Sequence, residues 1–143
     1  MEKYLFRPFL MPLQIFLYRL TGGRIGGAGK GLKLLLLTTT GRKSGVKHTT
    51  PAGYLTYENG YVIAGTNAGM PRNPGWYYNL KTDPRPTIQV NDRVMAVVAE
   101  EATGDLRGQL WERLIEQAPS YADYSKRTDR EFPMVILRPV VQA

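Results

Sequence analysis

The chain has 143 residues, of which 43% are hydrophobic and 22% charged, and a chain of this length normally folds as one domain. It has no cysteine and one histidine, which excludes disulfide scaffolds, thiolate metal sites, iron–sulfur clusters, cysteine nucleophiles and sites built on paired imidazoles. The net charge of +7 is one-sided, because residues 1–57 hold nine basic residues and one acid; this predicts a polyanionic partner (nucleic acid, anionic lipid or a phosphorylated small molecule) or a basic face that serves solubility.

An amphipathic helix is predicted near the N-terminus. Its apolar positions after Pro12 follow helical spacing: Leu13, Phe16, Leu17 and Leu20. Because Arg7, Pro8 and Pro12 interrupt the apolar run, residues 1–20 predict neither a signal peptide nor a membrane span. Two interpretations stay open: the helix packs on its own domain, or it lies on a membrane surface with its apolar side down. The predicted location is cytoplasmic, with peripheral contact at the inner face of the cell membrane under the second interpretation.

A glycine-rich connector, residues 21–31, leads from this helix to a series of short strands. Because the connector follows a helix and precedes a strand, its order is the reverse of a nucleotide-binding loop, and we exclude that role. Apolar and β-branched runs predict the strands: Leu32–Thr40, His48–Tyr57, Tyr61–Gly65, Thr87–Val90, Val94–Glu101 and Met134–Leu137. Residues 1–31 are therefore predicted as helix and connector, and residues 32–143 as the barrel domain.

Two helices interrupt the strands. The shorter is predicted at Trp76–Lys81 with Asn73 as its N-cap, and the longer at Leu106–Gln117 with Thr103 or Asp105 as its N-cap. Since hairpin turns join most of the strands, the predicted fold class is mainly β (α+β), an antiparallel barrel of about six strands with peripheral helices.

The turn Gly41–Gly45, with Lys47 and His48 after it, concentrates positive charge. Arg42, Lys43 and Lys47 place three permanent charges within six residues, and the flanking glycines let backbone N–H groups converge. Arginine and lysine bind phosphate and carboxylate groups, so the turn is a candidate site for a phosphorylated or polycarboxylate ligand. An ordinary cationic surface turn is the alternative.

The segment Ala64–Trp76 leaves a strand, passes through small residues and enters a helix. Small side chains let a flat ring approach the backbone closely, and the start of a helix presents free N–H groups. The segment therefore suits a planar, partly anionic heterocycle. A polar loop with Trp76 in the core is the alternative.

Two tyrosines, Tyr121 and Tyr124, follow the longer helix and are three residues apart. At this spacing they share a face, and each combines a flat apolar ring with a hydroxyl group. They could line an aromatic-substrate pocket and donate a proton or hydrogen bond to an oxygen that is being reduced. Ordinary edge packing is the alternative.

Other kinds of catalytic site lack the residues they need. A Ser-His-acid triad would have to use His48, which is predicted in a strand, and no G-x-S-x-G motif exists. No metal-binding spacing occurs, so no metal site is predicted. Glu100 and Glu101 are adjacent in a strand and point to opposite faces, which excludes a carboxylate pair.

With these three clusters in order, the sequence resembles the deazaflavin-dependent nitroreductase family, which uses coenzyme F420. The matching motifs are LLLTTTGRKSG at Leu35–Gly45, NPGWYYNLK at Asn73–Lys81, and PSYADY at Pro119–Tyr124 followed by Thr128–Arg130. The resemblance covers residues 32–139.

The resemblance implies a split β-barrel of the flavin-reductase type that binds the reduced deazaflavin, coenzyme F420 (8-hydroxy-5-deazaflavin), in a groove. It assigns these residues to the phosphate and glutamyl tail: Arg42, Lys43, Ser44, Gly45 and Lys47. It assigns these to the ring system and its far wall: Ala64, Gly65, Thr66, Asn67, Gly75, Trp76 and Asn79. The candidate catalytic residues are Tyr121 and Tyr124 on the substrate side, together with Thr66. Because the coenzyme carries the hydride chemistry, the protein needs only to bind, orient and exclude water.

Two positions depart from the family's prodrug-activating nitroreductase. Thr66-Asn67 stands where that enzyme has Ser-Lys, and Ala118 stands where it has a further tyrosine. We therefore expect the coenzyme to bind and nitroimidazole reduction to be weak or absent. A quinone suits the acceptor site better, since a lipid-soluble quinone would reach a helix that lies on a membrane.

The predicted function is thus an F420-dependent oxidoreductase with a quinone-like or other activated acceptor, contacting the membrane through residues 1–20 and forming a homodimer. One alternative is a flavin- or haem-binding protein on the same barrel. The other is a non-enzymatic membrane- or nucleic-acid-binding module, although the aromatic residues do not interleave with the basic ones as nucleic-acid stacking requires, and no nucleic acid is expected.

Overall fold

The computed structural model describes residues 7–29 and 31–140. Residues 1–6 of the predicted N-terminal segment, position 30 of the connector and residues 141–143 lie outside the described residues. Of residues 7–10 only the helical backbone is described.

Helices and strands follow one another in this part of the chain as helix α1 (Arg7–Thr21), strands β1 (Ala28–Gly29), β2 (Leu32–Thr40), β3 (Lys47–Tyr57) and β4 (Gly60–Ala64), helix α2 (Gly75–Thr82), strands β5 (Thr87–Val90) and β6 (Arg93–Glu101), helix α3 (Gly104–Gln117), helix α4 (Ala122–Ser125) and strand β7 (Met134–Pro139). Short 3-10 turns cover Asn67–Gly69 and Pro119–Tyr121.

Six of the strands form a closed antiparallel barrel. They run in the order β2-β3-β4-β7-β6-β5, and β5 pairs back onto β2, where Ile88 lies opposite Leu37. Strand β1 extends the same edge of β2, with Gly29 opposite Leu32. The predicted antiparallel barrel is confirmed, and each predicted strand is present within one or two residues of its predicted bounds. Strand β1, inside the glycine-rich connector, was not predicted.

Helix α1 is longer than the sequence predicts. It begins at Arg7, so Pro12 lies inside it; this position is costly for a helix, because proline has no N–H to donate and its ring crowds the carbonyl four residues earlier. At the other end Gly22 takes φ +62° and the N–H of Gly23 donates to the Tyr18 carbonyl at 2.9 Å, which is the glycine cap expected at a helix C-terminus. None of the helices in the described part of the chain is long and apolar enough to cross a membrane.

The predicted N-cap of α2 is wrong, whereas α3 has its N-cap at the predicted residue Thr103 but without a capping hydrogen bond. Helix α2 begins at Gly75 with Pro74 in the N-cap position, and Asn73 is no cap because its side-chain oxygen accepts a hydrogen bond from Arg130 instead. Helix α3 has Thr103 in the N-cap position, but no side-chain bond closes its first turn.

The core has two parts. One fills the barrel, where Leu35, Leu37 and Leu137 are fully buried and Leu80 of α2 packs against them. The other lies between the barrel and α3, where Leu114 packs on outward-facing residues of the strands. Strand β2 is buried on both faces, which explains its unbroken apolar run. Burying each such leucine contributes roughly 1.5–3 kcal/mol.

One tyrosine attaches α1 to the barrel. Tyr18 is 0% exposed; its hydroxyl donates to the Leu34 or Gln89 carbonyl and accepts the N–H of Asn91 at 2.8 Å. Burial raises the pKa of Tyr18 above its ordinary value. The apolar row of the same helix faces away from the barrel, because these residues are exposed: Leu13, Phe16 and Leu20.

Candidate functional site

A groove of about 610 Å³ lies between the turn that joins β2 to β3 and the segment that joins β4 to α2. Residues 50–53 of β3, residues 66–68 and the first residues of α2 contribute to its walls, and Met11 of α1 also reaches it. Its volume is typical of small-molecule sites. Among the described lining residues none is acidic, whereas Arg42 and Lys43 are basic. The groove therefore favours an anionic ligand.

The β2–β3 turn is closed by its own backbone. The N–H of Gly41 donates to Val46 and the N–H of Gly45 donates to Gly41, each at 2.8 Å. Gly45 has φ +72°, a conformation that glycine adopts without strain. Because these N–H groups are used within the turn, a ligand would be held mainly by the exposed side chains of Arg42 and Lys43.

The side chain of Asn79 fixes this turn against α2. Its oxygen accepts the backbone N–H of Arg42 at 3.1 Å, and its nitrogen donates to the Thr39 hydroxyl at 3.0 Å. The Arg42 guanidinium also lies 5.1 Å from the ring centroid of Tyr78, within cation–π range. Arg42 is therefore positioned before any ligand arrives.

The opposite wall contains a left-handed turn. Asn67, Ala68 and Gly69 have φ values of +47°, +55° and +77°, and the first two are strained because they carry a Cβ. The N–H of Gly69 donates to the Thr66 carbonyl at 2.9 Å. Glycine is required at position 69, since a Cβ there would lie 2.8 Å from the Tyr124 carbonyl oxygen.

The guanidinium of Arg130 binds the backbone on both sides of this turn. It donates to the carbonyls of Thr66 and Met70, each at 2.8 Å, to the Gly65 carbonyl at 3.2 Å and to the side-chain oxygen of Asn73 at 2.5 Å. Burial lowers the pKa of Arg130, yet an arginine stays charged at any ordinary pH.

Tyr121 lines the groove from the turn before α4. Its hydroxyl lies close to β3, because a Cβ built on Gly53 would be 2.9 Å from it. Burial raises the pKa of Tyr121, so the hydroxyl keeps its proton and can donate it. Tyr124 packs edge-on against the Tyr121 ring, with centroids 5.4 Å apart, and does not itself line the groove.

Comparison with known proteins identifies the family. The profile described as F420H(2)-dependent quinone reductase matches residues 10–139. The chain belongs to this family. An F420H(2)-dependent quinone reductase of Mycobacterium tuberculosis is 37% identical over 132 residues, which cover 90% of this chain and 89% of the relative. The protein is thus an oxidoreductase whose coenzyme is F420, and both predictions are confirmed.

Solved structures agree with the fold of this quinone reductase family. An F420-H2 dependent reductase, FDR-A, is 35% identical and superposes with a TM-score of 0.67 over 73% of this chain and 93% of that one. The haem storage protein HutZ of Vibrio cholerae is 16% identical and superposes with a TM-score of 0.59 over 92% of each chain, which shows the shared fold alone. The predicted split barrel is confirmed.

Most of the predicted site residues are brought together in the groove. Those that line it are Arg42, Lys43, Ser44, Ala64, Thr66, Asn67, Gly75, Trp76, Asn79 and Tyr121. Four do not line it: Gly45, Lys47, Gly65 and Tyr124. The Lys47 ammonium donates to the Thr40 hydroxyl at 2.8 Å, and Gly65 is buried against Pro133. Ala118 is buried in the core beside α3.

Sequence reasoning missed several residues of the groove. His48 and the run Thr50–Gly53 of β3 line it; only the small residues of that run, Ala52 and Gly53, could have indicated it. Arg130 was noted as part of a motif, but its contacts with the 65–73 segment were not predicted. The positive φ value of Ala68 has no signal of its own in the sequence, whereas asparagine, as at position 67, is one of the residues enriched in this conformation.

Proposed function

We propose that reduced coenzyme F420 binds in this groove, with its acidic tail at the Gly41–Gly45 turn and its ring against residues 64–68, and that a quinone-like acceptor is reduced there. The observation that carries the proposal is that one groove combines an exposed cationic turn with a wall of small residues. The coenzyme, when bound, supplies the hydride.

The residues present fit a flat ring. Gly75 has no atom within 4 Å of the position where a Cβ would stand, so the start of α2 leaves open space in the groove. Ala64 on the facing segment adds only a methyl group. Thr66, 7% exposed, places its side chain on the same wall, and we assign it to contact with the ring rather than to the tail.

The residues also fit an acidic tail. Arg42 is held in place by Asn79 and Tyr78, and Lys43 beside it is exposed and has no ion-pair partner within the described ranges. A positioned guanidinium with an exposed ammonium beside it suits a phosphate followed by carboxylates. Lys47, four residues further on at the start of β3, strengthens the positive field without lining the groove.

Tyr121 is the proposed proton or hydrogen-bond donor to the acceptor. Its protonated hydroxyl faces the groove, where negative charge would develop on a quinone oxygen during reduction, and a donor placed there stabilises that charge. Tyr124 supports the ring of Tyr121 through their edge-on contact. Ala118 stands where the family's prodrug-activating nitroreductase has a tyrosine, and Thr66-Asn67 stands where that enzyme has Ser-Lys. We therefore expect weak or absent nitroimidazole reduction.

A membrane surface is the proposed source of the acceptor. The apolar row of α1 is exposed, with Leu13 at 51%, Phe16 at 59% and Leu20 at 69%, and Arg19 and Arg24 near it are exposed as well. Such a helix suits an anionic interface. Because Met11 of the same helix lines the groove, an acceptor dissolved in the lipid would meet the site at this helix.

A homodimer is a further proposal. A solved chain of 35% identity and TM-score 0.67 is described as a domain-swapped dimer, and Val94 and Val98 of β6 are 70% and 42% exposed here. Light scattering on the purified protein tests this, and a monomer mass at all concentrations would contradict it.

Titration of the purified protein with oxidised coenzyme F420, followed by the coenzyme's fluorescence, tests the proposed function. We expect saturable binding, and a loss of affinity of about a hundredfold for the double variant Arg42→Glu, Lys43→Glu, since each reversal exchanges attraction for repulsion. Arg85→Glu with Arg93→Glu is the matched control, because it makes the same change of net charge at exposed positions outside the groove.

The second half of this experiment follows the oxidation of the reduced coenzyme by absorbance in the presence of a soluble quinone. Oxidation that needs both protein and quinone supports the proposal. Tight binding of FMN or haem without any binding of the deazaflavin would contradict it, and so would equal affinities in the two charge-reversed proteins.

A further inference from the structure

Residues 65–70 hold a conformation that their sequence does not favour. Asn67 and Ala68 are consecutive non-glycine residues with positive φ, and Gly69 follows with φ +77°. Single residues of this kind occur in turns, but two in succession require contacts that hold them. The local hydrogen bonds from Gly69 to Thr66 and from Met70 to Asn67 close the turn without removing the strain on the two Cβ atoms.

Two arginines supply the contacts from outside the turn. The guanidinium of Arg130 binds the carbonyls of Gly65, Thr66 and Met70, which flank the strained residues. Arg127 donates to the carbonyl of Ala68 itself at 3.1 Å. Together they bind backbone oxygens before, within and after the turn.

The surroundings of Arg130 direct its guanidinium at the backbone of this turn. Its guanidinium carbon lies 4.7 Å from the ring centroid of Phe132, within cation–π range. No acidic side chain forms an ion pair with it in the described part of the chain, so its charge is directed at carbonyl and amide oxygens. A lysine could not replace it, because its ammonium is compact and lacks the planar arrangement of donors.

We propose that Arg130 is a positioning residue that maintains the left-handed turn at Asn67–Gly69 and thereby the shape of the wall that receives the coenzyme ring. Arg130 does not line the groove, whereas Thr66, Asn67 and Ala68 do. Its effect on binding is therefore indirect and passes through the backbone. This inference rests on the proposed function only for the identity of the ligand.

The test compares Arg130→Gln with Arg113→Gln. Arg113 is the control, because its guanidinium also donates a hydrogen bond to a backbone carbonyl, that of Thr56 at 3.1 Å, and Thr56 lies in β3, outside the 64–73 segment. Three quantities are measured for each variant: unfolding by urea, amide hydrogen exchange of the 64–73 segment without ligand, and the Kd for oxidised coenzyme F420.

For Arg130→Gln we expect faster exchange in the 64–73 segment and a Kd raised by about tenfold or more, since charge-assisted hydrogen bonds to the turn are lost. For Arg113→Gln we expect a small loss of stability, unchanged exchange in that segment and a Kd within about twofold of the original, as for independent sites. Arg130→Gln with the original Kd and the original exchange would overturn the inference. Equal losses of affinity in both variants would also overturn it, because they would show a general loss of stability.

A double-mutant cycle with Ala68→Gly examines the route of the effect. Glycine adopts positive φ without strain, so the turn then depends less on Arg130. We expect Arg130→Gln to raise the Kd by a factor that is about one third as large, or less, in the Ala68→Gly background as in the original protein. Such coupling is typical of residues that act on one backbone feature. Strictly additive effects would contradict a route through the turn.

The inference and the proposed function fail in different ways. If the original protein does not bind the coenzyme, the proposed function fails, while exchange and unfolding still show whether Arg130 holds the turn. If Arg130→Gln does not fold, Arg130→Lys is compared instead; it keeps the charge and loses the planar donors, and we expect exchange and Kd to change in the same directions. If Arg130→Lys keeps both the amide exchange and the Kd of the original protein, the inference is overturned.

Discussion

The side-chain oxygen of Asn79 lies 3.1 Å from the backbone nitrogen of Arg42 and joins helix α2 to the cationic turn. The same side chain donates to Thr39 at the end of β2 and is 7% exposed. Asn79 lines the groove, but its polar atoms are already used within the protein. Its proposed role is therefore to position Arg42 rather than to bind the coenzyme directly.

Replacing Asn79 by alanine should weaken both the fold and the binding of the coenzyme tail. The change leaves the buried Thr39 hydroxyl and the Arg42 N–H without their partner, so we expect a loss of about 1–3 kcal/mol in the free energy of unfolding. Without its anchor the Arg42 guanidinium samples more conformations, and the Kd should rise by about three- to tenfold. Urea unfolding and fluorescence titration measure the two effects.

Gln109→Ala serves as the control for Asn79, since Gln109 is an exposed amide on α3 that lies outside the groove. It should change neither quantity. If Asn79→Ala lowers stability with no change of Kd, the positioning role is wrong.

Removal of the Tyr121 hydroxyl should slow turnover with little change in coenzyme affinity. For Tyr121→Phe we expect the rate of quinone reduction to fall on the order of a hundredfold, as for the loss of a proton donor. Because burial raises the pKa of Tyr121 and the donor is the protonated form, its contribution should persist from neutral pH to about 10, the ordinary tyrosine value, and disappear only above it. Rate profiles of both proteins should therefore have the same shape below that pH.

A second variant tests the same hydroxyl from the opposite strand. In Gly53→Ala the new Cβ would lie 2.9 Å from the Tyr121 oxygen and 2.8 Å from Cδ1 of Leu32, so Tyr121 must move and turnover should fall as well. Tyr57→Phe removes a hydroxyl outside the groove and is the control. Unaltered turnover in Tyr121→Phe would exclude the hydroxyl as the donor.

Tyr18→Phe should destabilise the attachment of α1 and change the response to alkali. The variant leaves the N–H of Asn91 without its acceptor, and we expect a loss of about 1–3 kcal/mol in the free energy of unfolding. The pKa of Tyr18 is raised by burial, so the folded state favours the neutral form. This contribution is fully present below the unfolded value of about 10 and is lost as pH rises through the folded pKa.

Urea unfolding of Tyr18→Phe and of the original protein between neutral pH and alkali measures this difference. The stability of the original protein should fall more steeply with pH above about 10 than that of Tyr18→Phe. Parallel curves would show that Tyr18 ionises equally in the folded and unfolded states.

The exposed row of α1 should bind anionic vesicles. Replacing Leu13, Phe16 and Leu20 by serine should reduce co-sedimentation with phosphatidylglycerol vesicles by about tenfold or more, because each apolar side chain contributes to burial in the interface. The control replaces another exposed apolar set by serine: Val46, Met70 and Val140. Equal vesicle binding by the two triple variants would contradict a specific role of α1.

Local patterns in the sequence were sufficient to predict the six barrel strands and the barrel class. The runs at Leu32–Thr40 and Thr87–Val90 predicted β2 and β5 within their observed bounds, because β-branched and apolar residues between turn residues favour strands wherever they occur. The cationic turn could also be predicted, because its charged residues are neighbours along the chain. The coenzyme, by contrast, came from the resemblance of whole motifs and not from any single residue.

Tertiary structure alone decided how these segments meet. Asn79 fixes Arg42, and Arg130 binds carbonyls some sixty residues earlier in the chain. Helix α1 attaches through Tyr18 while its apolar row stays exposed. All of these relationships depend on distances across the fold. These hydrogen bonds form between atoms that folding brings within about 3 Å of each other. The spacing of the residues along the sequence does not indicate which atoms come this close. The sequence by itself determined the elements and the local charge; packing determined which groups face the groove.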